Sequence, residues 1–176
     1  MLPLLILPPA QVALPPAANL ALADSPSKPE YQVKAQIIRK LLDYLEWPNQ
    51  EAGQPLVVAV LEPSPFGDYL PNELENLVIK GRPLKLRLFR GLSLITQCDV
   101  LFISGAYETS LGAILAELKG RPILSISDTP GFASRGVIVN LAPVDGRTRL
   151  EVNLTTLKSS GVTLSPQVMK SAMIMK

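Results

Sequence analysis

Apolar strands alternating with helical segments constrain the fold of this 176-residue chain more than any other feature of its sequence. Nearly continuous apolar runs, typical of strands covered on both faces, lie at 56–60, 100–103 and 122–126. Helical patterns occupy residues 30–47, 69–77 and 111–118. Because the links between these segments are short, the sequence predicts a mainly parallel, doubly wound α/β sheet flanked by helices.

Near the end of the chain, the sequence predicts antiparallel strands. Residues 136–141 and 148–154 are expected to form strands on either side of Asp145-Gly146, a dipeptide typical of hairpin turns. We therefore expect the sheet to carry a C-terminal antiparallel hairpin edge. A final helix should follow, capped by Ser165 and with Val168, Met169, Ala172 and Met173 on its inner face.

The composition argues against most kinds of active site. The chain contains no histidine, which excludes histidine-based acid–base catalysis and histidine metal sites. Its one cysteine, Cys98, cannot form an internal disulfide, and we expect an inert, mostly buried thiol. No Gly-rich nucleotide fingerprint occurs, and a net charge of +2 gives no reason to expect nucleic acid as a partner. We expect a protein that is not an enzyme and has no cofactor or metal.

The first 23 residues resemble a secretory leader. They carry no charge and end in Ala21-Leu22-Ala23, a triplet that suits a signal peptidase. Five prolines interrupt this segment, so a transmembrane helix is not expected there. The segment lacks a basic start, which a start codon placed too far downstream would explain. We expect export to the periplasm, a linker at 24–29 and a single domain at 30–176; a disordered apolar tail is the alternative.

A candidate ligand pocket lies at the carboxyl ends of the predicted parallel strands, where open α/β sheets bind ligands. The alternative is that these side chains only cap helices and turns. The residues concerned are Ser64, Phe66, Gly67, Ser104, Ser127 and Asp128.

Four further residues are candidates for a partner interface: Trp47, Arg135, Arg149 and Glu151. Tryptophan is enriched at interfaces, but Trp47 could equally seal a helix against the sheet. Arg149 and Glu151 share one face of a strand, and this face could line a partner groove or be solvated. Asn153, at the end of that strand, is expected to bond to the backbone of the following loop.

A series of short segments follows one another along the chain: Tyr31-Gln32-Val33-Lys34-Ala35, Trp47-Pro48, Pro65-Phe66-Gly67, Cys98-Asp99-Val100-Leu101-Phe102-Ile103, Ile123-Leu124, Ser127-Asp128, Gly136-Val137-Ile138, Glu151-Val152-Asn153-Leu154 and Leu164-Ser165. In their order and spacing, these segments resemble the YfiR-like family of periplasmic proteins. The resemblance covers about Tyr31 to Ala172.

The resemblance implies an exported regulator that binds the periplasmic part of a membrane signalling protein and represses it. The implied partner is a diguanylate cyclase or a histidine kinase, which would link the protein to cyclic di-GMP and biofilm formation. Homodimers are also implied, and a small-molecule sensing module is the alternative function. Family members often have several cysteines for redox-controlled disulfides, and a chain with Cys98 alone departs from that pattern.

Overall fold

An eight-stranded sheet forms the centre of the molecule, with strand order β10-β8-β7-β6-β5-β2-β4-β3. The structure is a computed structural model that describes residues 28–48 and 53–175. The predicted leader lies outside the described residues, as does the start of the predicted linker. The sheet strands are β2 (Leu56–Leu61), β3 (Val78–Ile79), β4 (Arg82–Phe89), β5 (Val100–Ile103), β6 (Leu124–Ser127), β7 (Val139–Val144), β8 (Arg147–Asn153) and β10 (Met173–Met175).

The predicted fold class is confirmed. Strands β4, β2, β5, β6 and β7 run parallel, and β8 returns antiparallel to β7. The hairpin turn is the expected one: Asp145 and Gly146 have φ of +50° and +72°, as a tight turn between twisted strands requires. Beyond the hairpin, the short strand β10 pairs in parallel with β8, an addition that the sequence did not predict.

Helices cover both faces of the sheet. Helix α1 (Lys28–Leu42), α2 (Tyr69–Leu74), α4 (Leu154–Ser160) and α5 (Pro166–Ser171) pack on one face, over an apolar cluster that includes Phe66 and Phe102. Helix α3 (Leu111–Leu118) covers the other face, where Phe89 and Phe132 belong to a second apolar cluster. Both layers exclude water from the central strands, which explains why those strands are apolar throughout.

The end of the first helix was predicted wrongly. We expected the helix to continue to Trp47, but α1 ends at Leu42. The next residues form strand β1 (Leu45–Glu46), which pairs antiparallel with β9 (Thr163–Leu164). Pairing with a segment over a hundred positions away thus overrides the local helical spacing. The helix also begins at Lys28, inside the predicted linker.

The segment after β8 was also mispredicted. We expected a strand through Leu154 and then a loop, whereas α4 begins at Leu154. The cap of α5 agrees with expectation: Ser165 accepts a hydrogen bond from the Val168 amide, with Pro166 at the first turn. Of its expected inner residues, Met173 lies instead in β10 and is exposed.

Candidate functional site

A buried ionic cluster lies directly after the carboxyl end of β6. Lys34 of α1 is only 3% exposed, and its Nζ lies 2.8 Å from Asp128 Oδ2 and 2.6 Å from Glu30 Oε1. Tyr31 packs beside the cluster, and the centre of its ring lies 4.7 Å from Lys34 Nζ. Burial, followed by the negative charge of Asp128, raises the pKa of Tyr31 well above its usual value. Asp128, one of the six predicted pocket residues, is therefore paired with Lys34.

The six predicted pocket residues lie in different surroundings. Phe66 is buried in the core, 4.7 Å from Phe102 between ring centres. The hydroxyls of Ser64 and Ser127 accept hydrogen bonds from backbone amides two residues further along, as in ordinary turns. Ser104 is buried, and its hydroxyl has no hydrogen-bond partner among the described residues. For Ser64 and Ser127, these hydrogen bonds favour the alternative that the side chains only cap turns.

Ser64 and Gly67 of the predicted set line the same cavity. This cavity has a volume of about 660 Å³ and lies between the start of α2 and the end of β4. Its walls include Val60, Leu86 and Leu88, with the ion pair of Arg90 and Glu62 at one end.

The four predicted interface residues lie in different places. Trp47 is 8% exposed, and its Nε1 donates a hydrogen bond to the backbone oxygen of Asp99 at 3.3 Å, which favours the core alternative. Arg135 is exposed near α3, where its Nη2 donates a hydrogen bond to the backbone oxygen of Glu108. Glu151 is half-buried and accepts a hydrogen bond from Asn140. Arg149 is exposed and belongs to a groove on the α1 face.

We call this feature the basic groove. It has a volume of about 500 Å³ and runs between α1, β8 and α5. It opens at the edge of the sheet, because β10 pairs only with residues 151–153 of β8. Its lining residues are Ile37, Lys40, Leu41, Tyr44, Arg147, Thr148, Arg149, Leu150, Gln167, Val168 and Ser171.

The basic groove combines an apolar floor with a cationic rim. Lys40, Arg147 and Arg149 are exposed, and no acidic side chain occurs among the described residues that line the groove. Such a surface attracts an anionic partner and offers it apolar contact area. Sequence reasoning identified Arg149 but missed Lys40 and Arg147. The strand alternation that places Arg147 and Arg149 on one side of β8 was the available signal.

Cys98 is half-buried, and its thiol donates a hydrogen bond to the Ile95 oxygen at 3.3 Å. Burial, with the nearby charge of Asp99, raises its pKa to about 12. A thiol that keeps its proton is a poor nucleophile and a poor metal ligand.

No group of three or more metal-binding side chains occurs within residues 28–48 and 53–175. None of the helices in that part of the chain has the length and apolar character needed to cross a membrane.

A family model described as YfiR/HmsC-like matches residues 31–173. The protein belongs to the YfiR/HmsC-like family. Members of this family are periplasmic regulators. In this YfiR/HmsC-like protein the match includes most of α1, Lys34 and Asp128 of the ionic cluster, the whole basic groove and the first residue of β10.

Solved structures with a similar fold have little sequence in common with this YfiR/HmsC-like chain. One is a conserved domain protein from Vibrio cholerae O1 biovar El Tor strain N16961, with a TM-score of 0.55, 10% identity and 83% of this chain covered. Another is the ABC domain in complex with L-Trp from Streptococcus pneumonia, with a TM-score of 0.52, 10% identity and 82% of this chain covered. This chain spans 60% of the length of each. At such identity the likeness concerns the fold alone.

Proposed function

We propose that this protein is an exported, non-enzymatic regulator that binds the periplasmic part of a membrane-bound diguanylate cyclase and represses it. The observation that carries the proposal is the match to the YfiR/HmsC-like family over residues 31–173. The uncharged apolar leader at 1–23, with its Ala-Leu-Ala triplet, supports export. Regulation of cyclic di-GMP and biofilm formation would follow from repression of such a cyclase.

We propose the basic groove as the surface that contacts the partner. Arginine and tyrosine side chains carry much of the binding energy at protein interfaces, and the groove contains Tyr44, Arg147 and Arg149. Its apolar floor can bury side chains of the partner, while its rim selects acidic ones. The matching partner segment is therefore acidic and amphipathic. A predicted small-molecule pocket is the less favoured alternative, because its six residues lie in different surroundings.

A binding measurement tests this surface. The full-length protein would be titrated against purified membrane-bound diguanylate cyclases of the source organism that possess periplasmic domains. Replacing both groove arginines, Arg147→Glu with Arg149→Glu, should weaken binding by about a hundredfold, since two attractive contacts become repulsive. The matched control, Lys119→Glu with Lys158→Glu, makes the same change of charge at exposed positions away from the groove.

Salt provides a second readout for the same complex. If the rim residues contact acidic groups, raising the ionic strength should weaken binding of the original protein and should not weaken binding of the doubly reversed variant. Equal affinity of the groove variant and its control for every cyclase tested would contradict the proposed surface.

A further inference from the structure

Strand β4 has a free edge along most of its length. Strand β3 pairs only with Arg82 and Pro83, at the beginning of β4. From Leu84 to Phe89, the strand pairs with β2 on one side, and no other strand among the described residues pairs with its second side. Exposed strand edges of this kind are templates for pairing with another extended chain.

The hydrogen bonds at either end of this stretch show which backbone groups face outward. The Leu84 amide donates to the Leu77 oxygen at 2.9 Å, away from β2, whereas the Phe89 oxygen accepts from the Glu62 amide, on the β2 side. Because backbone groups alternate along a strand, the N–H and C=O groups of Leu86 and Leu88 point away from β2. Neither residue has a backbone partner on that side among the described residues.

An apolar surface lies directly beside these outward groups. Leu88 is 52% exposed, and Leu86 and Leu88 both line the 660 Å³ cavity between α2 and β4. The opposite wall includes Leu70 and Pro71. An added strand could therefore place alternate apolar side chains in the cavity while its backbone pairs with β4.

The other face of the free edge is cationic. Lys85 and Arg87 are exposed and alternate with the leucines, so they lie on the face opposite the cavity. Two copies of this edge are poorly suited to each other. Antiparallel pairing of Leu86 with its own copy places Lys85 opposite Arg87, and pairing of Leu86 with Leu88 places Arg87 opposite Arg87. Like charges directly opposite one another destabilise a strand pair.

From this arrangement we propose that the free edge of β4 binds an extended segment of another protein whose apolar residues alternate with acidic ones. The apolar side chains would enter the cavity beside Leu86 and Leu88, and the acidic ones would face Lys85 and Arg87. This site is distinct from the basic groove, which lies at the opposite end of the sheet, and it does not depend on the cyclase as partner.

The test uses the full-length protein and a synthetic peptide of alternating Val and Glu, with an alternating Val and Lys peptide as its charge-reversed match. Amide hydrogen exchange is followed by NMR. In the free protein the Leu86 and Leu88 amides should exchange faster than those of Lys85 and Arg87. The acidic peptide should protect both leucine amides and bind about tenfold more tightly than the basic one.

Charge reversal on the protein provides the decisive comparison. Lys85→Glu with Arg87→Glu should reverse the preference, so that the basic peptide binds more tightly, while Lys119→Glu with Lys158→Glu leaves it unchanged. Protection of Leu86 and Leu88 in the free protein would overturn the proposal, because the edge would already be occupied by the chain itself or by a second copy. Absence of peptide-induced protection, or equal binding of both peptides, would also overturn it.

Discussion

At the scale of single residues, Asn153 joins three parts of the structure. Its Oδ1 accepts a hydrogen bond from the Thr156 amide and caps α4, while its Nδ2 donates to the Ala133 oxygen at 2.8 Å. The residue is 5% exposed, so water cannot replace either bond at little cost. The sequence analysis expected Asn153 to bond to the backbone of a following loop; it does bond to the backbone that follows, but that backbone belongs to helix α4.

Replacing Asn153 by alanine should lower the free energy of unfolding by about 2–3 kcal/mol, because a helix cap and a buried hydrogen bond are lost together. Urea denaturation measures the change. Asn72→Ala is the matched control, since Asn72 is exposed on α2. A cost for Asn153→Ala below about 0.5 kcal/mol would contradict this role.

Replacing the buried Lys34 should lower the stability of the protein far more than replacing an exposed cation of the same helix. Lys34→Met leaves the buried carboxylate of Asp128 without its ion-pair partner, which should cost about 3 kcal/mol. Arg39→Met, which breaks the exposed pair of Arg39 and Asp43, should cost less than about 0.5 kcal/mol. Adding Asp128→Asn to Lys34→Met should recover part of the loss. Equal costs for the two single variants would show that burial of the pair is unimportant.

The raised pKa of Cys98 predicts that the stability of the protein depends on pH. The pKa of this thiol is raised from 9.0 to about 12 in the folded protein, so the folded thiol keeps its proton when the unfolded thiol has lost it. The stabilising contribution is therefore complete below pH 9 and declines as the pH rises toward 12. The difference in unfolding free energy between the original protein and Cys98→Ala should narrow over that interval. A difference that widens as the pH rises would contradict the raised pKa of Cys98.

Reaction of Cys98 with a disulfide reagent is a simpler measurement of the same property. At about pH 8 the thiol should react at least about a hundredfold more slowly in the folded protein than in denaturant, because the thiolate is the reactive form. Comparable rates in the two states would contradict the raised pKa.

At the scale of structural elements, the hairpin between β7 and β8 depends on a positive φ at its turn. Gly146→Ala should cost about 1 kcal/mol, because a Cβ disfavours the left-handed backbone conformation at φ +72°. Gly112→Ala in α3 is the matched substitution: the added Cβ meets nothing within 4 Å, and the helix should gain about 0.5–1 kcal/mol. Chemical denaturation should therefore show a lower free energy of unfolding for Gly146→Ala and a higher one for Gly112→Ala. A lower free energy of unfolding for Gly112→Ala, or a higher one for Gly146→Ala, would contradict the two backbone conformations.

The elements predicted from the sequence are those with strong local signals. Continuous apolar runs predicted the parallel strands β2, β5 and β6, and Asp145-Gly146 predicted the hairpin. The short strands β1, β9 and β10 were not predicted, because two or three residues become a strand only through a distant partner. Helix α4 was missed because its sequence, Leu-Thr-Thr-Leu-Lys-Ser-Ser, contains four residues of low helix propensity.

At the scale of the whole molecule, the sequence predicted the kind of protein better than its sites. The rule that ligands bind at the carboxyl ends of parallel strands did not anticipate the ion pair that Asp128 forms there with Lys34, 94 positions away. The basic groove was found only in part, since α1, β8 and α5 form it together. Neither arrangement can be deduced from a local pattern, because each depends on how distant segments pack.

Repression of a membrane enzyme by direct contact is the central claim, and the rate of cyclic di-GMP formation tests it most directly. Cyclases of the source organism that have periplasmic domains would be reconstituted in lipid nanodiscs, and the full-length protein would be added in increasing amounts. We expect the rate for one of these cyclases to fall and to level off near a stoichiometric ratio. The variant Arg147→Glu with Arg149→Glu should require a much higher concentration. Unchanged rates for every such cyclase, at saturating amounts of the original protein, would contradict the account.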